Sequence, residues 1–250
     1  MQSTTVALMA KSGSIEPPDV AIFADTQWEP AAVYRHLDWL ETQLPFPVRR
    51  VTAGSIREAI STRTNTSGND GFSAIPWHIT LPDGSPSIGR RQCSNEYKLI
   101  PIMRRIRDEL GVGRRGFIEP ESVEVLLGIS LDEAHRMRAP RQAYMVNVYP
   151  LIDLRMTRGD CIGWLDKHGY PTPPKSACIG CPFHGDDYWI ALRKSSSEEW
   201  ADAIAADREL RAGEDRGEYM HRSRVPLDEV VLDDRQLDLF GNDCGGHCGV

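Results

Sequence analysis

The sequence predicts an α/β fold on a doubly wound, mainly parallel sheet. Residues Asp19 to Asp25 (DVAIFAD) form a short apolar run ending on a polar corner, the pattern of a buried parallel strand. Val33, Leu37, Leu40 and Leu44 recur at helical spacing behind Pro30, which stands at a first helical position, and Val48 to Thr52 gives a second strand. That strand–helix–strand rhythm is the unit of doubly wound sheets. With 250 residues and 40% hydrophobic content, the chain can bury one sizeable core plus appendages. In such sheets ligands lie beyond the carboxyl ends of the strands, which singles out Asp25 and Thr26.

The other elements follow in order. Thr4 to Lys11 reads as a helix that begins almost at the first residue. Thr62 to Ser73, rich in Ser, Thr, Asn and Gly, predicts a flexible loop over the site. Ile100 to Leu110 is an Arg-rich amphipathic helix. Ser122 to Ile129 is a strand, and Leu131 to Met137 a short helix capped by Ser130. Tyr144 to Leu154 is a strand with its exit, broken by Pro150, where Asp153 serves as a structural cap rather than a catalytic base. Gly159 to His168 is a helix, and the three prolines of Tyr170 to Ser176 make a rigid connector to Cys178. Asp186 to Arg211 is a long charged helical region. Its inner face, Trp189, Leu192, Trp200 and Ile204, is core rather than a base-stacking platform. From Gly213 on, a tail with little core is expected. Residues 1–185 form the main domain, 186–212 a helical extension and 213–250 the tail.

A net charge of −7 excludes a global basic field for nucleic acid. Arg104, Arg105, Arg107, Arg114 and Arg115 do cluster, and such runs are usually solvated faces. No signal peptide, membrane-spanning run or lipidation motif is found, so a cytoplasmic chain without a membrane partner is expected. There, six cysteines point to metal or catalysis more than to disulfides.

The cysteines fall in two groups. Cys178-Ile179-Gly180-Cys181-Pro182 sets two thiolates on a tight turn, suited to one metal ion or one cluster, although a redox pair or half a zinc site has the same spacing. Cys93 and Cys161 complete a four-thiolate set for a [4Fe–4S] cluster or a zinc ion; Cys161 equally suits a buried core thiol. Cys244 and Cys248 lie in a glycine-rich tail. His184 is a candidate to support the cysteine pair, though a surface histidine fits as well. His221 and Arg222 are candidates to fold back towards the site.

Four segments, in order, resemble the phosphoadenosine phosphosulfate reductase family of the adenine nucleotide alpha-hydrolase (PP-loop) superfamily. They are Asp25-Thr26-Gln27-Trp28-Glu29-Pro30 with Tyr34; Arg91-Gln92-Cys93 with Lys98, Pro101 and Ile102; Tyr149-Pro150-Leu151-Ile152-Asp153; and Ser176 through Phe183. The likeness spans roughly residues 1–185 and is also close to phage members of the family. It implies an α-hydrolase-type sheet and an adenine nucleotide, ATP or an adenylyl sulfate type, as substrate. It further implies a [4Fe–4S] cluster on Cys93, Cys161, Cys178 and Cys181, and sulfate contacts from Arg90, Arg91 and Lys98. Asp243-Cys244-Gly245-Gly246-His247 resembles the family's catalytic tail, implying Cys244 as nucleophile and His247 as the group that lowers its pKa. A thioredoxin-type reductant would then release sulfite.

Two departures shape the expectation. The family's glycine-rich phosphate loop is represented only by Gln2-Ser3, so the first strand and the glycines are missing. A GTG valine codon inside a Gly-x-Gly-Val-Gln-Ser loop, taken as the start, would give Met1; Gln2 and Ser3 are nucleotide-binding candidates if that loop is restored. A stop codon directly upstream would sink this. Also, Gln92-Cys93 stands where cluster-bearing reductases carry a Cys-Cys pair. That favours an alternative, an ATP-dependent sulfurtransferase delivering sulfur to tRNA, DNA or a metabolite. A third possibility is a non-catalytic, zinc-stabilised nucleotide- or nucleic-acid-binding module.

Overall fold

The computed structural model describes residues 1–62, 73–212 and 217–232. Its elements are α1 (Gln2–Lys11), β1 (Ala21–Asp25), α2 (Ala31–Gln43), β2 (Val48–Thr52) and α3 (Glu58–Thr62). There follow β3 (His78–Thr80), β4 (Pro86–Ile88), a π-helix (Ser94–Leu99), α4 (Ile100–Glu109), β5 (Val123–Leu126) and a 3-10 helix (Leu131–Arg136). The last elements are β6 (Met145–Val148), α5 (Pro150–Asp153), α6 (Arg158–Lys167), α7 (Asp186–Ser195), α8 (Ser197–Arg211) and β7 (Glu218–Tyr219). The chain is mixed α/β, with parallel pairs β1–β2 and β5–β6 and an antiparallel sheet in the order β4-β3-β7. Among the described residues no helix is long and apolar enough to cross a membrane.

Two compact units are present. The first comprises Met1–Phe23, Ala31–Val51 and Ile102–Ser176. Its helix α1 is small or apolar on nearly every side (TTVALMA), so it buries almost all round, with Thr5 and Leu8 both at 0% exposure. It packs on α2, α5 and α6. Val6, Met9, Leu151 and Cys161 form one core there, and Ile106, Tyr144 and Met145 another, beneath β5 and β6. Helix α6 starts at a capping box: Asp160 N donates to Thr157 Oγ1 and Thr157 N donates to Asp160 Oδ2. Pro150 at a first helical position turns the chain after Val148 into α5, so Asp153 lies on a short helix and not at a strand exit. Ser130 precedes the 3-10 helix without capping it; its hydroxyl instead accepts from Gln2 Nε2 at 3.3 Å.

The second unit comprises Ala24–Pro30, Thr52–Pro101 and the described residues from Ala177 on. Its core is aromatic, with Trp77 at 1% and Trp189 at 0% exposure beside Trp28, Ile56 and Tyr97. The helical region expected over Asp186–Arg211 is two helices. They break at Ser196, whose extended backbone lets its Oγ accept from Glu199 N at 3.2 Å and start α8. Of the tail expected to hold little core, the described residues 217–232 do contribute to it: Met220 and Leu227 are 0% and 1% exposed. Asp207 on α8 is the reason. Its carboxylate accepts from Met220 N at 3.1 Å, Leu227 N at 3.0 Å and Arg211 Nη2 at 3.0 Å, and so ties that segment down. The expected 62–73 loop, apart from its ends, lies outside the described residues.

Candidate cysteine centre and anion pocket

The site is built in the second unit from three pieces of chain. The first is the end of β1. Asp25 Oδ1 accepts from Gln27 N at 2.7 Å, and Gln27 takes a left-handed backbone (φ 58°), a sharp corner that turns Thr26 and Glu29 inward. Both are buried, at 0% and 3% exposure. The second piece begins where Gln92 N and Cys93 N both donate to Ala74 O, at 2.9 and 2.8 Å. Cys93 there precedes the π-helix, which carries Ser94 and Lys98; π-turns are rare and recur at functional sites.

The third piece is the turn Cys178–Cys181. Cys181 N donates to Cys178 O at 3.1 Å, and His184 Nε2 donates to the same carbonyl at 2.9 Å. Ile179 N donates to Trp28 O at 2.8 Å, which hangs the turn on the β1 corner. Gly180 is required by close approach: a Cβ there would run into the Trp28 ring, 2.6 Å from Cζ3, and lie 2.8 Å from Met220 Cε. Trp28 is itself held, its Nε1 donating to Asp202 Oδ2 at 2.6 Å while Arg57 sits 5.8 Å over its ring.

Cys93, Cys178 and Cys181 line one pocket with Thr26, Arg91, Ser94, Lys98 and Phe183. The pocket is small, about 40 Å³, room for roughly three waters or one small anion. Arg91 stacks over the Phe183 ring at 5.6 Å and donates to Ser94 Oγ at 2.6 Å, which aims a flat cation along the wall.

Cys178 sits in a charged nest. Its Sγ is 3.2 Å from Thr26 Oγ1 and 3.9 Å from Glu29 Oε1. The Thr26 hydroxyl donates to Glu29 Oε1 at 3.3 Å, and Lys98 Nζ stands 3.9 Å from the same oxygen. Burial first, and the Glu29 carboxylate second, push the Cys178 thiol up to about 12; Lys98 and the Thr26 hydroxyl pull the other way. As a free group Cys178 is therefore a neutral thiol at pH 7. A bound metal ion would remove its proton outright.

The candidate residues divide clearly. Thr26, Arg91, Cys93, Lys98, Cys178 and Cys181 line the pocket; Asp25 shapes its corner, and Arg90 is exposed and does not line it. Cys161 belongs to the first unit, at 0% exposure among Val6, Met9 and Leu151, where burial raises its thiol pKa. Gln2 and Ser3 also belong to the first unit. Gln2 Nε2 donates to Glu133 Oε2 at 3.0 Å, and Gly128 lies so close that a Cβ would come 2.7 Å from Ser3 Cα. His184 is buried at 3%, stacked 3.3 Å from Tyr188, and is not a surface histidine. His221, also 3% exposed, accepts from Ser223 N at 3.1 Å and meets Asp186 Oδ1 at 3.1 Å, as does Arg222; neither lines the pocket. Cys244, His247 and Cys248 lie outside the described residues.

Glu29, Ser94 and Phe183 are additions that sequence reasoning did not single out. Glu29 in Thr-Gln-Trp-Glu-Pro offered one signal, an acidic residue directly before a proline expected to start a helix; α2 in fact begins one residue later, at Ala31. No group of three His, Cys, Asp or Glu among the described residues converges in a metal-holding arrangement, whether for a zinc ion or for a cluster. A cluster spreads its thiolates over separate irons, and the three pocket cysteines are of the type it takes. Compared with known proteins, the chain matches no family model, no curated protein and no solved structure.

Proposed function

We propose that this chain is a cysteine-ligated cluster enzyme acting on an adenine nucleotide in sulfur chemistry, with sulfonucleotide reduction as the leading reaction. The observation that carries it is Cys93, Cys178 and Cys181 lining one small pocket with Arg91 and Lys98. The parallel pairs β1–β2 and β5–β6, which are separate two-stranded sheets, are compatible with an α/β fold, and the adenine nucleotide alpha-hydrolase type is drawn from the motif resemblance. Cys93, Cys178 and Cys181 would hold a [4Fe–4S] cluster. When bound, the cluster would supply positive charge that orients and polarises a sulfate group.

Arg91, aimed by Phe183 and Ser94, binds the sulfo oxygens. Lys98 and Thr26 hold the charge of Glu29 in place behind Cys178. The thiolate of Cys244, with His247 lowering its pKa, attacks the sulfonate sulfur. A Cys244 S–S bond forms, the S–O bond breaks, and the electron pair leaves on the nucleotide phosphate. A thioredoxin-type dithiol then attacks Cys244 Sγ, releasing sulfite. It departs as the disulfide and returns Cys244 as a thiol.

The single Cys93 after Gln92 favours one second reading, an ATP-dependent sulfurtransferase with tRNA, DNA or a metabolite as acceptor. Anaerobic purification followed by iron, acid-labile sulfide and zinc analysis tests the proposal. Roughly four irons and four sulfides per chain are expected, with calorimetry then ranking a sulfonucleotide against ATP. Stoichiometric zinc without iron would overturn both sulfur mechanisms in favour of a zinc-stabilised binding module.

A further inference from the structure

The arginines between 104 and 115 serve different roles in the first unit. Arg105 pairs with Glu109, which also holds Arg49 at 3.0 Å. Arg107 turns back from α4 and donates to the carbonyls of Gly113 at 2.7 Å and Gly116 at 2.5 Å. Arg104, Arg114 and Arg115 are exposed and make no ion pair or hydrogen bond with any described residue.

The loop that presents them is fixed. Val112 N donates to Arg107 O and Gly116 N to Gly113 O, both at 2.9 Å. A Cβ at Gly116 would fall 2.5 Å from Val112 Cγ1, so a side chain there would have to displace the Val112 methyl. Ile118 packs inward on the Ile106, Tyr144 and Met145 core. Phe117, held between these anchors, is 78% exposed. Isolated exposed apolar residues are ordinary. Here a braced turn sends an aromatic ring outward together with two unpaired guanidiniums.

We propose that this loop is a contact surface for single-stranded nucleic acid. Guanidiniums meet phosphates, and the Phe117 ring stacks on a base. The proposal stands independently of the sulfur chemistry above. A lipid surface fits less well, because one ring gives little apolar burial for anchoring and a net charge of −7 repels an extended anionic plane more than a local strand.

The test is fluorescence anisotropy of a labelled 20-nucleotide single strand titrated with the full chain across a salt series, using about 50 to 200 mM salt. Phe117→Ala is expected to weaken binding roughly 5- to 150-fold with an unchanged salt slope. Arg114→Ala with Arg115→Ala should lower the log–log salt slope by about 1.4. All three positions are exposed, so circular dichroism should match the parent. No binding by the parent at low salt, or parental affinity and slope in both variants, would overturn the proposal. So would binding to phosphatidylserine vesicles but not to the oligonucleotide.

Discussion

Asp207→Ala is expected to release the chain from 217 to 232 from helix α8. The Asp207 side chain is 1% exposed and holds two buried backbone amides, Met220 N and Leu227 N, together with Arg211. Alanine leaves both amides without their acceptor, at about 1–3 kcal/mol each. Arg211, 28% exposed, can rehydrate and adds little. The expected loss is therefore about 2–6 kcal/mol, a large part of a typical total of ~5–15 kcal/mol. Asn retains one carbonyl acceptor, so Asp207→Asn should lose about half as much. Urea unfolding reports the total. Hydrogen exchange of the 217–232 peptides reports the place, and its amides should exchange about 30-fold faster or more in Asp207→Ala. Because Met220 packs beside Gly180, the same variant should expose the cysteine turn to thiol reagents. A loss under about 1 kcal/mol with unchanged exchange would show that Asp207 does not anchor the segment.

Three further outcomes follow from the same contacts. Gly180→Ala should cost about 1–3 kcal/mol by overpacking against Trp28 and Met220 and lower the metal content of purified protein; full metal retention would contradict the close approach. Cys161→Ala should cost about 1 kcal/mol or more through the cavity it leaves while metal content stays at the parental value, whereas Cys178→Ser and Cys181→Ser should lose metal. Glu209 is held down to about 2 by hydrogen bonds from Arg57 and Ser61, against an ordinary 4.5. A depressed carboxylate stabilises above its unfolded value and loses that contribution as pH falls through the folded value. The stability gap between parent and Glu209→Gln should thus be flat above pH 4.5 and close between about 4.5 and 2; a gap that widens on acidification would reverse the assignment.

Much of the fold is written in local patterns. The DVAIFAD run, the Val33/Leu37 stripe and the Val48–Thr52 run become β1, α2 and β2, but the expected burial is met only on α2: β1 is half-buried throughout and β2 mixes half-buried with exposed positions. The β3–β4 hairpin is three residues a side, too short for a period to show. Met220, Leu227 and Leu232 are separated by mainly polar residues and follow no period, so their burial depends on a single aspartate on another element. The site divides the same way. Cys178, Gly180 and Cys181 announce a turn. Cys161 has the same chemistry as Cys93, and only tertiary packing sends it to an apolar core among Val6, Met9 and Leu151. Glu29 is charged and yet buried, a placement that no hydrophobic pattern encodes.

That burial bears on Lys98. Sequence reasoning assigns it to a substrate anion, while its ammonium lies 3.9 Å from Glu29 Oε1, with the Glu29 side chain 1% exposed and that of Lys98 24% exposed. A carboxylate taken out of water needs compensation, and a cation at that distance supplies part of it. Lys98→Met and Glu29→Gln should each destabilise, and the double variant should recover a coupling of about 1–3 kcal/mol in a double-mutant cycle of urea unfolding. Arg91→Met, which removes a pocket-lining guanidinium stacked on Phe183, should leave stability nearly unchanged and weaken sulfate or sulfonucleotide binding instead. If Lys98 and Glu29 prove additive within about 0.5 kcal/mol while Lys98→Met abolishes anion binding, the lysine belongs to the substrate and not to the buried carboxylate.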